Sequence, residues 1–157
     1  MYKRQALWGL KKDAIVGTSS ARRKSQLLAL RPDVQIKELR GNVPTRVEKL
    51  KTGEYDAILL AKAGILRLEL DLSDLVCIDL TCDEFVPAPA QGVLALQVRS
   101  SAIELKNILK QINDPAVQKL VHLERSVLNL MDGGCQLPLG VYCDNKYVHV
   151  AFSDDAM

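Results

Sequence analysis

The chain has 157 residues, 48% of them hydrophobic and 25% charged, with a formal net charge of +2, which is the composition of a folded protein with a sizeable core and not of a disordered or fibrous chain. Only 4% of its residues are aromatic, too few to stack nucleic-acid bases, and no apolar run approaches the roughly 18 residues of a membrane span, so neither nucleic acid nor membrane is expected as a partner. The charge is sorted along the chain: residues 17 to 51 hold nine Lys/Arg against three Asp/Glu, and residues 52 to 98 hold two against eight. That sorting predicts a focused anion site.

Ala14 to Thr18 reads as a short buried strand. Ser20 is placed to cap a helix over Ala21 to Leu30, which Pro32 keeps from continuing. Val34 to Leu39 is the next strand. Thr45 with Glu48 suggests a capping box opening a helix that runs through Leu50, and Gly53 suits its C-terminal stop. Ala57 to Ala61 reads as a buried strand, Gly64 to Leu70 as helical, and Val76 to Leu80 as extended. Strands and helices alternating at this spacing imply α/β units on a largely parallel sheet.

Residues 85 to 92, with two prolines and a glycine, form a rigid crossover leading to an expected strand from Val93 to Val98. Ser101 and Glu104 suggest a second capping box, and Leu105, Ile108, Leu109 and Ile112 share one helical face. Asp114-Pro115 opens a helix reaching about Met131, ended by Gly133-Gly134. Gly140 to Cys143 and Tyr147 to Phe152 then pair as a hairpin around Asp144-Asn145.

Two turns carry the chemistry, Gly17-Thr18-Ser19-Ser20-Ala21-Arg22-Arg23 and Leu39-Arg40-Gly41-Asn42-Val43-Pro44-Thr45-Arg46. Each lies where a strand hands over to a helix, at the carboxyl end of the sheet where ligands of such folds bind. Helix starts expose unpaired backbone N–H groups, and guanidinium forks beside them suit carboxylates or phosphates. Cations at that end are disfavoured by the helix dipole, so the arginines cost local stability unless an anion compensates. The expected ligand is a polyanionic small molecule.

Cys77, Cys82, Cys135 and Cys143 form no CxxC pair, and neither His122 nor His149 stands at zinc-ligand spacing from them, so no metal site is expected and the thiols read as reduced and cytoplasmic. Cys135 differs in setting: it follows Gly133-Gly134 directly after a helix end, where a backbone without side chains lets another group approach. It is a candidate nucleophile, against the plain alternative of a buried structural thiol. The amino terminus lacks the apolar stretch of a signal peptide.

Taken with Tyr55-Asp56-Ala57, Ala61-Lys62-Ala63-Gly64, Pro89-Ala90-Gln91-Gly92 and Gly133-Gly134-Cys135-Gln136-Leu137-Pro138, the two arginine turns closely resemble the porphobilinogen deaminase (hydroxymethylbilane synthase) family over about residues 13 to 152. The resemblance implies an enzyme of tetrapyrrole biosynthesis that condenses four porphobilinogen molecules into linear hydroxymethylbilane, releasing ammonia, on a covalently attached dipyrromethane cofactor. It implies that Cys135 holds the cofactor through a thioether, that Ser20, Arg22, Arg23, Arg40 and Arg46 bind cofactor and substrate carboxylates, and that Thr18, Ser19 and Gln91 line the same cleft. It implies a periplasmic-binding-protein-like (type II) α/β architecture and a monomeric full-length protein.

The family's catalytic aspartate belongs to a segment with no counterpart upstream of Asp13. This chain is therefore expected to be an internal fragment, inactive by itself: residues 1–86 as a nearly complete second α/β domain, 87–113 as crossover and return segment of the first domain, and 114–157 as the start of a cofactor-bearing α+β third domain. Asp132 and Lys62 depart from the usual pattern, and Lys62 lies near the expected cleft. The main alternative is a noncatalytic anion-binding module of the same fold, which leaves Gly133-Gly134-Cys135 without a purpose. A nucleotide binder would need a Walker or Rossmann glycine pattern that the chain lacks.

Overall fold

Strand β1 (Ile15–Gly17) is the centre of a three-stranded parallel sheet, with β2 (Gln35–Lys37) on one side and β3 (Ala57–Ile58) on the other. The computed structural model describes residues 9–132, 134, 136–144 and 146–154. Helix α1 (Ala21–Leu30) connects β1 to β2, and α2 (Val43–Lys51) connects β2 to β3. Such helical crossovers are what parallel pairing requires, since each strand must return to the same end of the sheet. Ala14, Val16, Leu27 and Val34 form the core beneath it, joined by Leu10, Ile36, Ala57, Leu59 and Phe85.

The apolar residues of α1 explain its packing. Leu27 is fully buried against β1. The helix starts as its sequence predicts: the Ser20 hydroxyl accepts from the Arg23 N–H at 3.4 Å. At α2 the structure differs from the expected Thr45 capping box. The cap is Asn42, whose Oδ1 accepts from the Thr45 N–H at 2.9 Å and the Thr45 hydroxyl at 2.7 Å. Pro44 explains the earlier start, because proline tolerates the first turn, where its missing N–H costs nothing. Gly53, at φ +79°, donates to the Leu50 carbonyl and stops the helix as expected.

Gly17 is required by a close approach. A Cβ there would lie 2.8 Å from Cδ1 of Tyr55, whose ring is buried and whose hydroxyl donates to the Glu38 carbonyl at 2.7 Å.

Helix α3 (Lys62–Arg67) follows β3, two residues ahead of the expected start at Gly64. Beyond it, two expected strands are not formed. Val76 to Leu80 carries no strand pairing, and neither does Val93 to Val98, where Leu94 and Leu96 stand exposed. An extended apolar run becomes a strand only when a neighbour supplies the hydrogen-bond ladder, and no described strand pairs with either segment. Helix α4 (Ile103–Gln111) starts at Ala102 with no side-chain cap, in place of the expected Ser101 box, and has no buried residue.

Helix α5 (Pro115–Leu130) begins as predicted at Asp114, whose Oδ1 accepts from the N–H groups of Ala116 and Val117. It packs on an antiparallel hairpin of β4 (Leu139–Cys143) and β5 (Val148–Phe152). Leu139, Val141 and Cys143 are buried on β4. Among the described residues no helix is long and apolar enough to cross a membrane.

Candidate functional site

The carboxyl ends of the three parallel strands come together at one edge of the sheet. Ser19 follows β1 and locks onto the chain beyond β2: its hydroxyl donates to the Leu39 carbonyl at 2.8 Å and accepts from the Leu39 N–H at 3.0 Å. One side chain thereby extends the strand pairing past the last backbone pair. Thr18 is buried, and its hydroxyl accepts from the Ser20 N–H at 3.2 Å.

Within this edge lies a cleft of about 500 Å³, lined by Thr18, Ser19, Ser20, Ala21, Arg23, Arg46 and Gln136. Arg23 reaches across from α1 and donates to the Leu59 carbonyl after β3 at 2.9 Å. Arg46 is pinned by its Nε to the Gly41 carbonyl at 2.7 Å. Neither forms an ion pair among the described residues. Burial, and then the neighbouring Arg46 charge, push the Arg23 guanidinium below its ordinary value. Two cations facing one cleft without a carboxylate between them create a local demand for an anion.

Arg22 is placed differently from Arg23. It is buried, donating through one terminal nitrogen to the Val86 carbonyl at 2.6 Å and through the other to Oε1 of Gln91 at 3.0 Å. Burial, and secondarily the Arg23 charge, lower it to about 10. Arg22, Arg23 and Gln91 line a second, larger cavity of about 1280 Å³, whose wall also includes Leu27, Phe85, Tyr142 and His149. Arg23 thus borders both cavities. Arg40 borders neither: its exposed guanidinium is held by the exposed Glu38 carboxylate at 2.7 Å.

Cys135 lies outside the described residues. Its sequence neighbour Gln136 lines the small cleft, a site residue not among those expected there, although it stands in the same glycine-cysteine motif. Of the other thiols, Cys77 and Cys82 are exposed and Cys143 is buried. Burial, and then the carboxylates of Glu124 and Asp144, push the Cys143 thiol up, so it is a poor source of thiolate. Lys62 lines the larger cavity and is paired with Asp79.

Glu124 is likewise not among the expected residues. This buried carboxylate accepts from the Ala90 N–H at 2.6 Å and from the Cys143 N–H at 2.9 Å. It ties the crossover to the hairpin. Nothing in its helical setting, Leu123-Glu124-Arg125, distinguishes it from a solvated surface glutamate.

The fold and the site define an α/β protein that gathers arginines and hydroxyls at the carboxyl ends of parallel strands. A family model described as porphobilinogen deaminase, dipyromethane cofactor binding domain, matches residues 1–107, and one described as porphobilinogen deaminase, C-terminal domain, matches residues 118–151. The chain belongs to the porphobilinogen deaminase family. It is 49% identical over 133 residues to the porphobilinogen deaminase of Fusobacterium nucleatum, covering 85% of this chain and 44% of that protein. The enzyme of that name from Exiguobacterium sibiricum is 47% identical over 131 residues, with 83% and 42% covered, and that from Legionella pneumophila 44% over 141 residues, with 88% and 44% covered. The chain therefore spans less than half the length of these curated relatives.

Proposed function

We propose that the full-length protein is a hydroxymethylbilane synthase of tetrapyrrole biosynthesis, joining four porphobilinogen molecules head to tail with loss of ammonia. The observation that carries this reading is the cleft in which Arg23 and Arg46 converge beside Thr18, Ser19 and Ser20 with no carboxylate partner among the described residues. Porphobilinogen bears an acetate and a propionate, so each added ring brings two anions that such arginines can hold through charge-assisted hydrogen bonds.

The donor set suits a dipyrromethane, whose four carboxylates need several cations near a nucleophilic thiol. Cys135 would hold it through a thioether, with Arg23, Arg46 and Ser20 on its carboxylates and Arg22 and Gln91 meeting it from the larger cavity. When bound, the group supplies the anchored pyrrole terminus to which incoming rings are joined. Thr18 and Ser19 shape the cleft wall through their hydroxyl contacts. Arg40 enters the reading through exchange: its exposed pair with Glu38 contributes only about 0 to 1 kcal/mol, so a substrate carboxylate can replace Glu38 at little cost.

We read the architecture as periplasmic-binding-protein-like of type II, supported by the parallel order β2-β1-β3 with ligand-facing turns at the strand ends. Residues 1–86 are read as the second domain, 87–113 as crossover and return segment, and 114–157 as part of the cofactor-bearing domain, supported by the separate two-stranded sheet that packs on α5. A cytoplasmic monomer is the assembly state this reading carries.

The test is to incubate the full-length protein with porphobilinogen, following ammonia release and the linear tetrapyrrole by mass spectrometry. Stoichiometric ammonia and a dipyrromethane adduct on Cys135 support the reading. Binding of porphobilinogen without ammonia release would instead favour the noncatalytic anion-binding module.

A further inference from the structure

The crossover between the sheet unit and the hairpin is held by an unusual contact. Gln26 in α1 faces Val86 with its whole amide: Nε2 donates to the Val86 carbonyl at 2.9 Å, and Oε1 accepts from the Val86 N–H at 2.7 Å. A glutamine side chain thus does for Val86 what a neighbouring strand would do, satisfying both backbone groups of a buried residue 60 positions away. The orientation of the amide is fixed, because the donor must face C=O and the acceptor must face N–H.

Arg22 stands one helical turn before Gln26 and uses the same carbonyl, at 2.6 Å, while its other terminal nitrogen holds Gln91. Residues four apart on a helix share a face. Gln26 and Arg22 therefore grip one acceptor together, and the path of residues 86 to 91 decides where Gln91 meets Arg22. The far side of the crossover is held by the Glu124 contact to Ala90 and by the Val141 N–H, which donates to the Pro87 carbonyl at 2.9 Å. The fit around Val86 is close: a Cβ on Gly140 would lie 2.6 Å from the same carbonyl oxygen.

We propose that Gln26 is a positioning residue that fixes the crossover on α1 and thereby keeps Arg22 engaged with Gln91 at the wall of the larger cavity. Its effect on catalysis rests on the synthase reading above, whereas its effect on Arg22 does not.

The experiment is carried out on the full-length protein carrying Gln26→Met, which keeps the side chain's length and removes both hydrogen bonds, and Gln26→Glu, which keeps the acceptor for the Val86 N–H. Arginine labelling with phenylglyoxal is read by peptide mass spectrometry, with the equally buried Arg31, held by Asp33 elsewhere in the structure, as internal standard. In Gln26→Met, Arg22 should label about five- to thirty-fold faster relative to Arg31, the extra opening expected when one or both of the lost hydrogen bonds, each worth about 1 kcal/mol net, held the crossover closed. The Val86 amide should lose hydrogen-exchange protection in Gln26→Met and keep it in Gln26→Glu. In Gln26→Glu the new carboxylate competes for Arg22, so the KM for porphobilinogen should rise while kcat stays near its original value.

An unchanged Arg22-to-Arg31 labelling ratio in Gln26→Met would overturn the proposal, whether the protein is otherwise intact or loosened throughout. So would an unchanged KM in Gln26→Glu in a protein that turns over. If the unmodified protein releases no ammonia from porphobilinogen, the synthase reading falls, and the labelling ratio still decides the role of Gln26.

Discussion

Arg23 and Arg46 come from different helices, each just beyond a different strand, yet they wall the same cleft, and burial, with the Arg46 charge adding to it, pushes the Arg23 guanidinium below its ordinary value. Repulsion between like charges in a partly buried site is a cost to the free protein that a bound anion reverses.

Replacing either arginine should therefore separate binding from stability. Arg23→Leu or Arg46→Leu removes a charge-assisted hydrogen bond worth about 1.5 to 3 kcal/mol to a bound carboxylate, which corresponds to roughly ten- to hundred-fold weaker handling of porphobilinogen. The thermal midpoint should not fall in proportion, since the surviving arginine is relieved of its like-charged neighbour. Steady-state KM, cofactor content by intact mass and a melting curve on the same preparation check this.

Cys135→Ser in the full-length protein should abolish the covalent adduct, because a hydroxyl is a far weaker nucleophile than a thiolate at neutral pH. Peptide mapping should find no adduct on Cys77, Cys82 or Cys143. The buried position of Cys143, with its thiol pushed up by burial, makes it the least reactive of these.

Glu124→Gln tests the tie between crossover and hairpin. Two backbone N–H groups converge on the two carboxylate oxygens, and a carboxamide offers one acceptor and turns a donor toward the other. Leaving one buried donor unsatisfied costs about 1 to 3 kcal/mol. Urea unfolding of the full-length protein should show that loss as a lower midpoint with an unchanged slope.

Asp144 supplies a pH signature. Its carboxylate accepts from the N–H groups of Lys146 and Tyr147, each at 2.6 Å, and lies 3.1 Å from Nε2 of His149. The backbone bonds first, and then His149, hold its carboxyl down at about 2, against an ordinary value of 3.8. A carboxyl depressed on folding stabilises the protein fully above its unfolded value, and that contribution fades as pH falls from about 4 through about 2. A carboxyl-carbon NMR titration should place the Asp144 midpoint near the lower figure, and Asp144→Asn should flatten this part of the acid stability profile.

Much of the local structure was legible because its causes are local. Ser20 caps α1 and Asp114 caps α5 through side-chain oxygens that reach only two or three residues along the chain, and alternating apolar residues around Asp144-Asn145 mark the hairpin without reference to anything distant. The turns holding Thr18, Ser19, Ser20, Arg23 and Arg46 were likewise visible as strand-to-helix handovers. The strand expected over Val93 to Val98 was not decidable in this way, because pairing depends on a neighbour that no local pattern names.

The sequence by itself determined the helices, the alternation of strands and helices along the chain, the sorting of charge and the motifs that place the chain in its family, since each is written in residue type and spacing. Only the tertiary structure decided which arginine faces which cavity. Arg22 and Arg23 are adjacent, but one residue along a helix turns the side chain by about 100°, so Arg23 meets Arg46 in the small cleft while Arg22 turns to Val86 and Gln91. The grip of Gln26 on Val86 and of Glu124 on Ala90 and Cys143 likewise joins residues far apart in sequence, where only folding brings donor and acceptor within hydrogen-bonding distance.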